Sequence, residues 1–287
     1  MQNFVFYEVN AEIVTSVSSC HCHPLGPATP LPDPMVKSPP ARHNRDAANL
    51  EARMSTFLFV PGAWLGGWCW RDVATPLRAA GHLVIDATLT GLGERAHLLN
   101  PQIGLQTHVA DIVGLLHYRD LNGVSLVGHS YGGIVITAVA EWAPERIRRL
   151  VYLDASVPRD GESNDDVVGA EMAARLRSDA QSRGEGWRVP PAEYVLTGLT
   201  DAMRVWVEER LTPHPLRSFA EPVQLRSQAA AALPRAFIRT SMQSDLYGRL
   251  IDRARNAGWY CRELSGGHYA MLREARTVAV ALGELPA

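Results

Sequence analysis

The chain has 287 residues, 46% of them hydrophobic and 20% charged, and carries a formal net charge of −2. This is the composition of a globular chain with ample residues for a core. The near-neutral balance offers no basic field for nucleic acid or an anionic membrane surface, and no apolar run reaches the roughly 18–20 residues that span a bilayer.

The first 53 residues differ from the rest. Seven prolines fall between Pro24 and Pro40 among small and polar residues, which predicts an extended, unpacked segment over residues 1–53. Phe4–Val9 has the make-up of a short strand without an evident partner. The opening residues lack a basic start and a sustained apolar centre, so no secretory signal is expected and the cytoplasm is the default location. Cys20-His21-Cys22-His23 holds metal-binding residue types at a spacing too tight for a structural zinc site. The four cysteines, at 20, 22, 69 and 261, do not make a disulfide framework in a chain this long. Lys37 is the only lysine, which removes a P-loop and any lysine nucleophile from residues 54–287. Nor is there a G-x-G-x-x-G dinucleotide fingerprint, and no cofactor or metal is expected. Met54 directly precedes a strong strand and is the expected start of the folded domain.

From Thr56 onward strand and helix alternate. Thr56–Val60 reads as a buried strand, followed by a loop containing Gly62, Gly66 and Gly67. A helix over about Trp70–Ala80 stops at Gly81, and His82–Asp86 is the next strand. Thr107 can cap a helix that places Val109, Ile112, Val113 and Leu116 on one face. Val124–Val127 is a short apolar strand. It runs into G-H-S-Y-G (128–132) and then into a helix carrying Ile134, Val135, Ala138, Val139 and Trp142 inward. Leu150–Asp154 is another strand. From about 157 to 233 the pattern becomes helical and loopy, which predicts an inserted cap. The sheet resumes with Ala236–Thr240 and Trp259–Glu263, and a last helix covers about Ala270–Leu282. Strands separated by helices predict an α/β fold with a mostly parallel sheet and helices on both faces. In such sheets chemistry gathers beyond the carboxyl ends of the strands.

Glycines two residues either side of Ser130 let a strand turn sharply into a helix and push the serine hydroxyl out of the sheet, which makes Ser130 the candidate nucleophile. His268, behind Gly266 and Gly267 in the loop after the last strand, completes the order serine, acid, histidine as the base. His129, adjacent to the serine on the turn, points away and serves packing. Two carboxylates compete for the acid: Asp154, at the end of the strand after the Ser130 helix, is favoured over Asp245, which suits the N-cap of the following helix. The oxyanion donors would be the backbone N–H groups of Ala63 and Tyr131. Trp64 and Tyr269 are candidate substrate contacts.

Three segments carry a resemblance. F-L-F-V-P-G-A-W-L-G-G-W-C-W (57–70), G-H-S-Y-G-G (128–133) and G-H-Y-A-M-L (267–272) resemble the small α/β-hydrolases related to plant methyl-ester esterases and hydroxynitrile lyases. T-L-T-G-L-G-E-R (88–95) and L-V-Y-L-D-A-S-V-P (150–158) are most similar to its bacterial esterase and carbamate-esterase branch. The likeness covers Ser55 to the C-terminus. It implies an α/β-hydrolase fold, Ser130 as nucleophile, His268 as base and Ala63 and Tyr131 as oxyanion donors. The plant-type acid does not transfer, because Gln243 or a neighbour stands at its place, whereas Asp154 fits the bacterial pattern. Pro61 replaces the histidine usual before the glycine. The lyases need a lysine beside the catalytic histidine, and Tyr269 stands there instead. The expected activity is hydrolysis of small, largely apolar carboxylic or carbamate esters through an acyl-enzyme, by a monomer or homodimer. A non-catalytic protein that binds a small ligand, or a lyase or perhydrolase on the same fold, are the alternatives.

Overall fold

The computed structural model describes residues 54–241 and 244–286. The expectations for the proline-rich segment, for Phe4–Val9 and for Cys20–His23 lie outside the described residues.

Six strands form one sheet: Thr56–Val60 (β1), Leu83–Asp86 (β2), Val124–Ser130 (β3), Ile147–Ala155 (β4), Arg235–Arg239 (β5) and Tyr260–Glu263 (β6). Their order is β2-β1-β3-β4-β5-β6, and every pairing is parallel. Parallel strands are covered on both faces, so the central ones read as continuous apolar runs. Leu58, Phe59, Val60, Leu126 and Val127 are accordingly fully buried. The principal helices are Arg71–Ala79 (α1), Leu105–Tyr118 (α2), Gly132–Trp142 (α3), Ala170–Arg183 (α4), Asp201–Glu208 (α5), Asp245–Asn256 (α6) and Ala275–Gly283 (α7).

The strand order places the site. From β1 the chain moves outward to β2, then returns across β1 to β3 and continues the other way. Crossovers between parallel strands are right-handed, so the direction reversal puts α1 on one face and α2 and α3 on the other. The packing agrees: α1 lies against α7, and α2 against α3. The reversal opens a crevice between the carboxyl ends of β1 and β3, the place where open α/β sheets bind ligands. The Gly62–Ala63 loop leaves β1 there, and Ser130 ends β3.

Between β4 and β5 the chain leaves the sheet. It forms α4, α5, short helices at Asn164–Val168, Arg217–Ala220 and Gln228–Ala231, and a two-residue antiparallel ribbon of Arg188–Val189 with His214–Pro215. A buried polar cluster ties this excursion to the core. The Tyr131 hydroxyl donates to His108 Nδ1 at 2.9 Å, while His108 Nε2–H donates to the Thr90 carbonyl at 3.1 Å. His214 Nε2–H donates to Ser218 Oγ at 2.9 Å, and that hydroxyl donates to the Pro215 carbonyl. Phe219 closes the cluster, stacked on His214 at 4.4 Å and edge-on to Tyr131 at 5.4 Å.

These rings are kept neutral. Burial is the main cause that pushes His108 down to about 4 and His129 to about 3, and it holds His214 well below the ordinary histidine value. Between those values and about 6.5 the unfolded chain takes up protons that the folded chain refuses. The stability held in the neutral rings is therefore complete above pH ~6.5 and drains away as pH falls below it. For His108 and His129 the loss is on the order of 2 kcal/mol each by about pH 5, and His214 shifts stability in the same direction. Urea unfolding should show a markedly lower midpoint at about pH 5 than at about pH 7.5; equal midpoints would contradict the neutral buried rings.

Four local expectations are corrected. Trp142 is 68% exposed, because the C-terminal turn of α3 runs past the edge of its packing surface. Thr107 is not the cap of α2: the helix begins one turn earlier, with Gly104 at the N-cap, and Thr107 Oγ1 accepts the Gly104 N–H from within the first turn. Asp245 is the first residue of α6, and the cap is Ser244, whose hydroxyl accepts the Tyr247 N–H. The last helix is two, Ala270–Arg273 and α7, separated by a break at Glu274 (φ −127°, ψ 40°).

Candidate active site

Ser130 sits at the junction of β3 and α3 with φ +52°, a left-handed conformation that L-residues adopt at a cost. The turn is tight enough to demand its glycines. A Cβ on Gly128 would lie 2.5 Å from the Gly132 carbonyl oxygen, and one on Gly132 would lie 2.6 Å from that of Val60. The serine carbonyl accepts the Ser156 N–H at 2.9 Å, which locks the turn to the end of β4.

Asp154 owes its position to a bulge. His129 pairs with Leu153 and Ser130 with Ala155, so Asp154 is the extra residue between two registers, with φ +41°. Bulges of this kind re-aim a side chain out of the regular pleat. The carboxylate is fully buried. It turns toward the end of β5, where the Thr240 N–H donates to Oδ1 at 2.7 Å and the Ser241 N–H to Oδ2 at 2.8 Å. Burial alone would raise its carboxyl, but His268 and these two amides outweigh burial and hold it below the usual carboxylate value. His268 Nδ1 faces Oδ2 at 3.5 Å, and this ring nitrogen has no other partner among the described residues.

His268 is delivered by the loop after β6, in which Gly266 and Gly267 both have positive φ (128° and 74°). Two contacts fix that loop. The Gly267 N–H donates to the Thr240 carbonyl, and His129 Nε2–H donates to the His268 carbonyl at 2.8 Å. His129 thus does more than fill space: as a neutral donor it holds the backbone of the residue that must meet Ser130.

Ser130, His268, Ala63, Tyr131 and Trp64 line one pocket of about 320 Å³, walled largely by Val168, Met172, Leu176, Phe219 and Leu246. Such an apolar pocket with a few convergent polar groups suits a small organic molecule. The backbone N–H groups of Ala63 and Tyr131 have no acceptor among the described residues. Trp64 has φ +66°. The excursion between β4 and β5 anchors it, because its indole Nε1–H donates to the Val189 carbonyl and its own carbonyl accepts the Thr212 N–H. Ser156 and Asn164 add a polar spot to the wall, the serine hydroxyl donating to Asn164 Oδ1 at 2.8 Å. Among the described residues no group of three or more His, Cys, Asp or Glu side chains is placed to hold a metal.

One expectation changes here. Tyr269 is 5% exposed and does not line the pocket; its ring packs against His129 and His268 from behind. Asp245, the rival acid, lies exposed at the start of α6. Tyr247, in contrast, lines the pocket beside His268. It lies parallel to the His268 imidazole (4.9 Å between centroids, 22°), with its hydroxyl 3.3 Å from Nε2, and lines the same pocket as Ser130. The only sequence signal for it was its place in the first turn of a helix that starts at the carboxyl end of a strand.

Residues 57–281 match the family model described as the alpha/beta hydrolase family. The chain belongs to the alpha/beta hydrolase family. Within it, the chain is 36% identical over 245 residues to the carbendazim hydrolyzing esterase of Nocardioides sp. (strain SG-4G), covering 81% of this chain and 100% of that protein. It is 29% identical over 144 residues to the putative chloroplastic methylesterase 14 of Arabidopsis thaliana, covering 48% of this chain and 41% of that one. Among solved structures it is similar to an extracellular alpha/beta-hydrolase from a Paenibacillus species, with a TM-score of 0.71 and 22% identity, covering 79% of this chain and 97% of that one. That last likeness is one of alpha/beta-hydrolase fold. The parallel sheet with helices on both faces and the serine at the end of its third strand agree with it.

Proposed function

We propose that this alpha/beta hydrolase is a serine esterase that cleaves small, largely apolar carboxylic esters, carbamate esters included, through an acyl-enzyme. One observation carries the reading: a serine strained onto a sharp turn shares an apolar pocket with an imidazole backed by a buried carboxylate and with two backbone donors that have no acceptor among the described residues. In the proposed reaction Ser130 Oγ attacks the carbonyl carbon while His268 Nε2 takes its proton. Asp154 keeps the other proton on Nδ1 and balances the imidazolium. The Ala63 and Tyr131 N–H groups hold the oxyanion, and each such donor is typically worth about 2.7–4 kcal/mol of transition-state stabilisation. His268 then gives its proton to the leaving alcohol, and water repeats the sequence on the acyl-serine.

A carbamate ester passes through the same tetrahedral species, which is why it falls within the reading. The relative named as a carbendazim hydrolyzing esterase and the putative plant methylesterase support ester cleavage as the reaction class. The excursion over residues 157–233 serves as the cap that shapes the pocket, since it supplies Asn164, Val168, Met172, Leu176, Tyr194 and Phe219 to the wall. No helix among the described residues is long and apolar enough to cross a membrane. The cytoplasmic setting is part of the proposal, supported by Cys69 and Cys261, which form no disulfide among the described residues. The test is release of p-nitrophenol and butyrate from p-nitrophenyl butyrate, with Ser130→Ala as control. Binding of the ester without turnover would replace this reading by a ligand-binding one.

A further inference from the structure

The serine-esterase reading gives no role to the hydroxyl of Tyr247, which stands beside the catalytic imidazole. That hydroxyl touches His268 Nε2 at 3.3 Å and lines the same pocket as Ser130, so it stands beside the atom that must take up and hand on the proton. Its ring is held flat against the imidazole, and its backbone N–H is fixed by the Ser244 cap. We propose that Tyr247 is a catalytic residue that hydrogen-bonds the leaving-group oxygen of the substrate, forming the alcohol side of the pocket.

The argument follows the proton. Before attack, Nε2 carries a lone pair and can accept the Tyr247 O–H. When Nε2 takes the serine proton it becomes a donor, and the phenol must find another acceptor. At that moment the only new acceptor beside Nε2 is the oxygen about to leave, because Nε2 has to be near that oxygen to protonate it. The oxyanion is on the other side of the reacting carbon, toward Ala63 and Tyr131. As the C–O bond breaks, negative charge grows on the leaving oxygen. The proton that ends up on it comes from His268, and Tyr247 keeps its own, contributing a hydrogen bond only. Burial pushes the phenol well above its usual range, so it remains a donor at working pH.

This inference rests on the serine-esterase reading and has its own signature. A donor to the leaving oxygen matters most where that oxygen is a poor leaving group, whereas a residue that merely positions His268 affects all esters alike. The experiment compares kcat/KM of the wild type and Tyr247→Phe on butyrate esters of p-nitrophenol, phenol, trifluoroethanol and ethanol, normalised to the serine titrated by a fluorophosphonate. The variant should lose about threefold on the p-nitrophenyl ester and about a hundredfold on the ethyl ester, the range expected for a hydrogen bond to a charged oxygen. A uniform loss across the series, or no loss, would overturn the proposal. If Tyr247→Phe leaves no titratable serine, 3-fluorotyrosine at position 247 keeps the ring and strengthens the donor. The dependence on leaving-group basicity should then become shallower, and an unchanged dependence would overturn the proposal. A wild type that turns over none of the four esters defeats the esterase reading itself, a different outcome from either.

Discussion

Ser130→Ala should lower kcat on p-nitrophenyl butyrate by about 10⁵-fold or more, the scale seen when the nucleophile of a serine hydrolase is removed. Nothing else in the pocket can replace it. The other hydroxyls that line it are those of Tyr131, Ser156, Tyr194, Ser241, Ser244 and Tyr247. Ser156 is committed to Asn164, and Tyr131, although it stands on the turn, commits its hydroxyl to the buried His108 cluster; the other four lie outside the turn. The fold should survive, because alanine meets the φ of +52° no worse than serine does, and the glycines that permit the turn are untouched. Thermal unfolding within a few degrees of the wild type, with turnover abolished, is the expected pair of results. A variant that keeps more than about a tenth of the activity would remove Ser130 from the reaction.

Asp154→Asn should cost about 10⁴-fold in kcat, while Asp245→Asn stays within about twofold. The large effect has a tautomeric cause. The carboxylate can only accept, so it keeps the proton on Nδ1 and leaves Nε2 free to receive the serine proton. An amide can turn its NH₂ toward the ring and stabilise the opposite tautomer. The substitution should also weaken the fold, since the Thr240 and Ser241 amides occupy both oxygens of Asp154 and asparagine offers only one. A buried donor left without its acceptor costs about 1–3 kcal/mol. Asp245 is exposed in the first turn of α6, where its charge supports the helix end by about 0.3–1 kcal/mol and no more. The kcat of each variant on p-nitrophenyl butyrate, together with its urea midpoint, separates the two effects. A larger rate loss at 245 than at 154 would mean that the acid has been assigned to the wrong strand end.

Much of the fold was legible because its signals are local. The apolar runs of β1 and β3, the glycine spacing around Ser130 and the return of strand character after 233 each follow from a few adjacent residues. The parallel order followed from alternation. What failed depended on context. In α3 nearly every residue is apolar, so periodicity could not show that Trp142 emerges beyond the sheet. Tyr269 neighbours His268 in sequence, but the chain turns at Gly267 and enters the Ala270 helix, which carries the tyrosine under the imidazole. The choice of Asp154 rested on strand position and on the resemblance to the bacterial branch; the bulge that aims it is a register shift between β3 and β4 that no single strand reveals. Tyr247 was missed because a tyrosine in a helix carries no chemical signature until its neighbours are known. The pocket wall from residues 157–233 was illegible for the same reason: short helices of mixed composition do not say which face meets Ser130.

The central claim is that the Ser130 hydroxyl is made nucleophilic by the imidazole of His268. It is tested most directly by reacting the protein with a fluorophosphonate and mapping the adduct by peptide mass spectrometry. The account predicts one adduct per chain, on Ser130, formed orders of magnitude more slowly in His268→Ala. An adduct on another residue, or equal labelling rates in the two proteins, would contradict it.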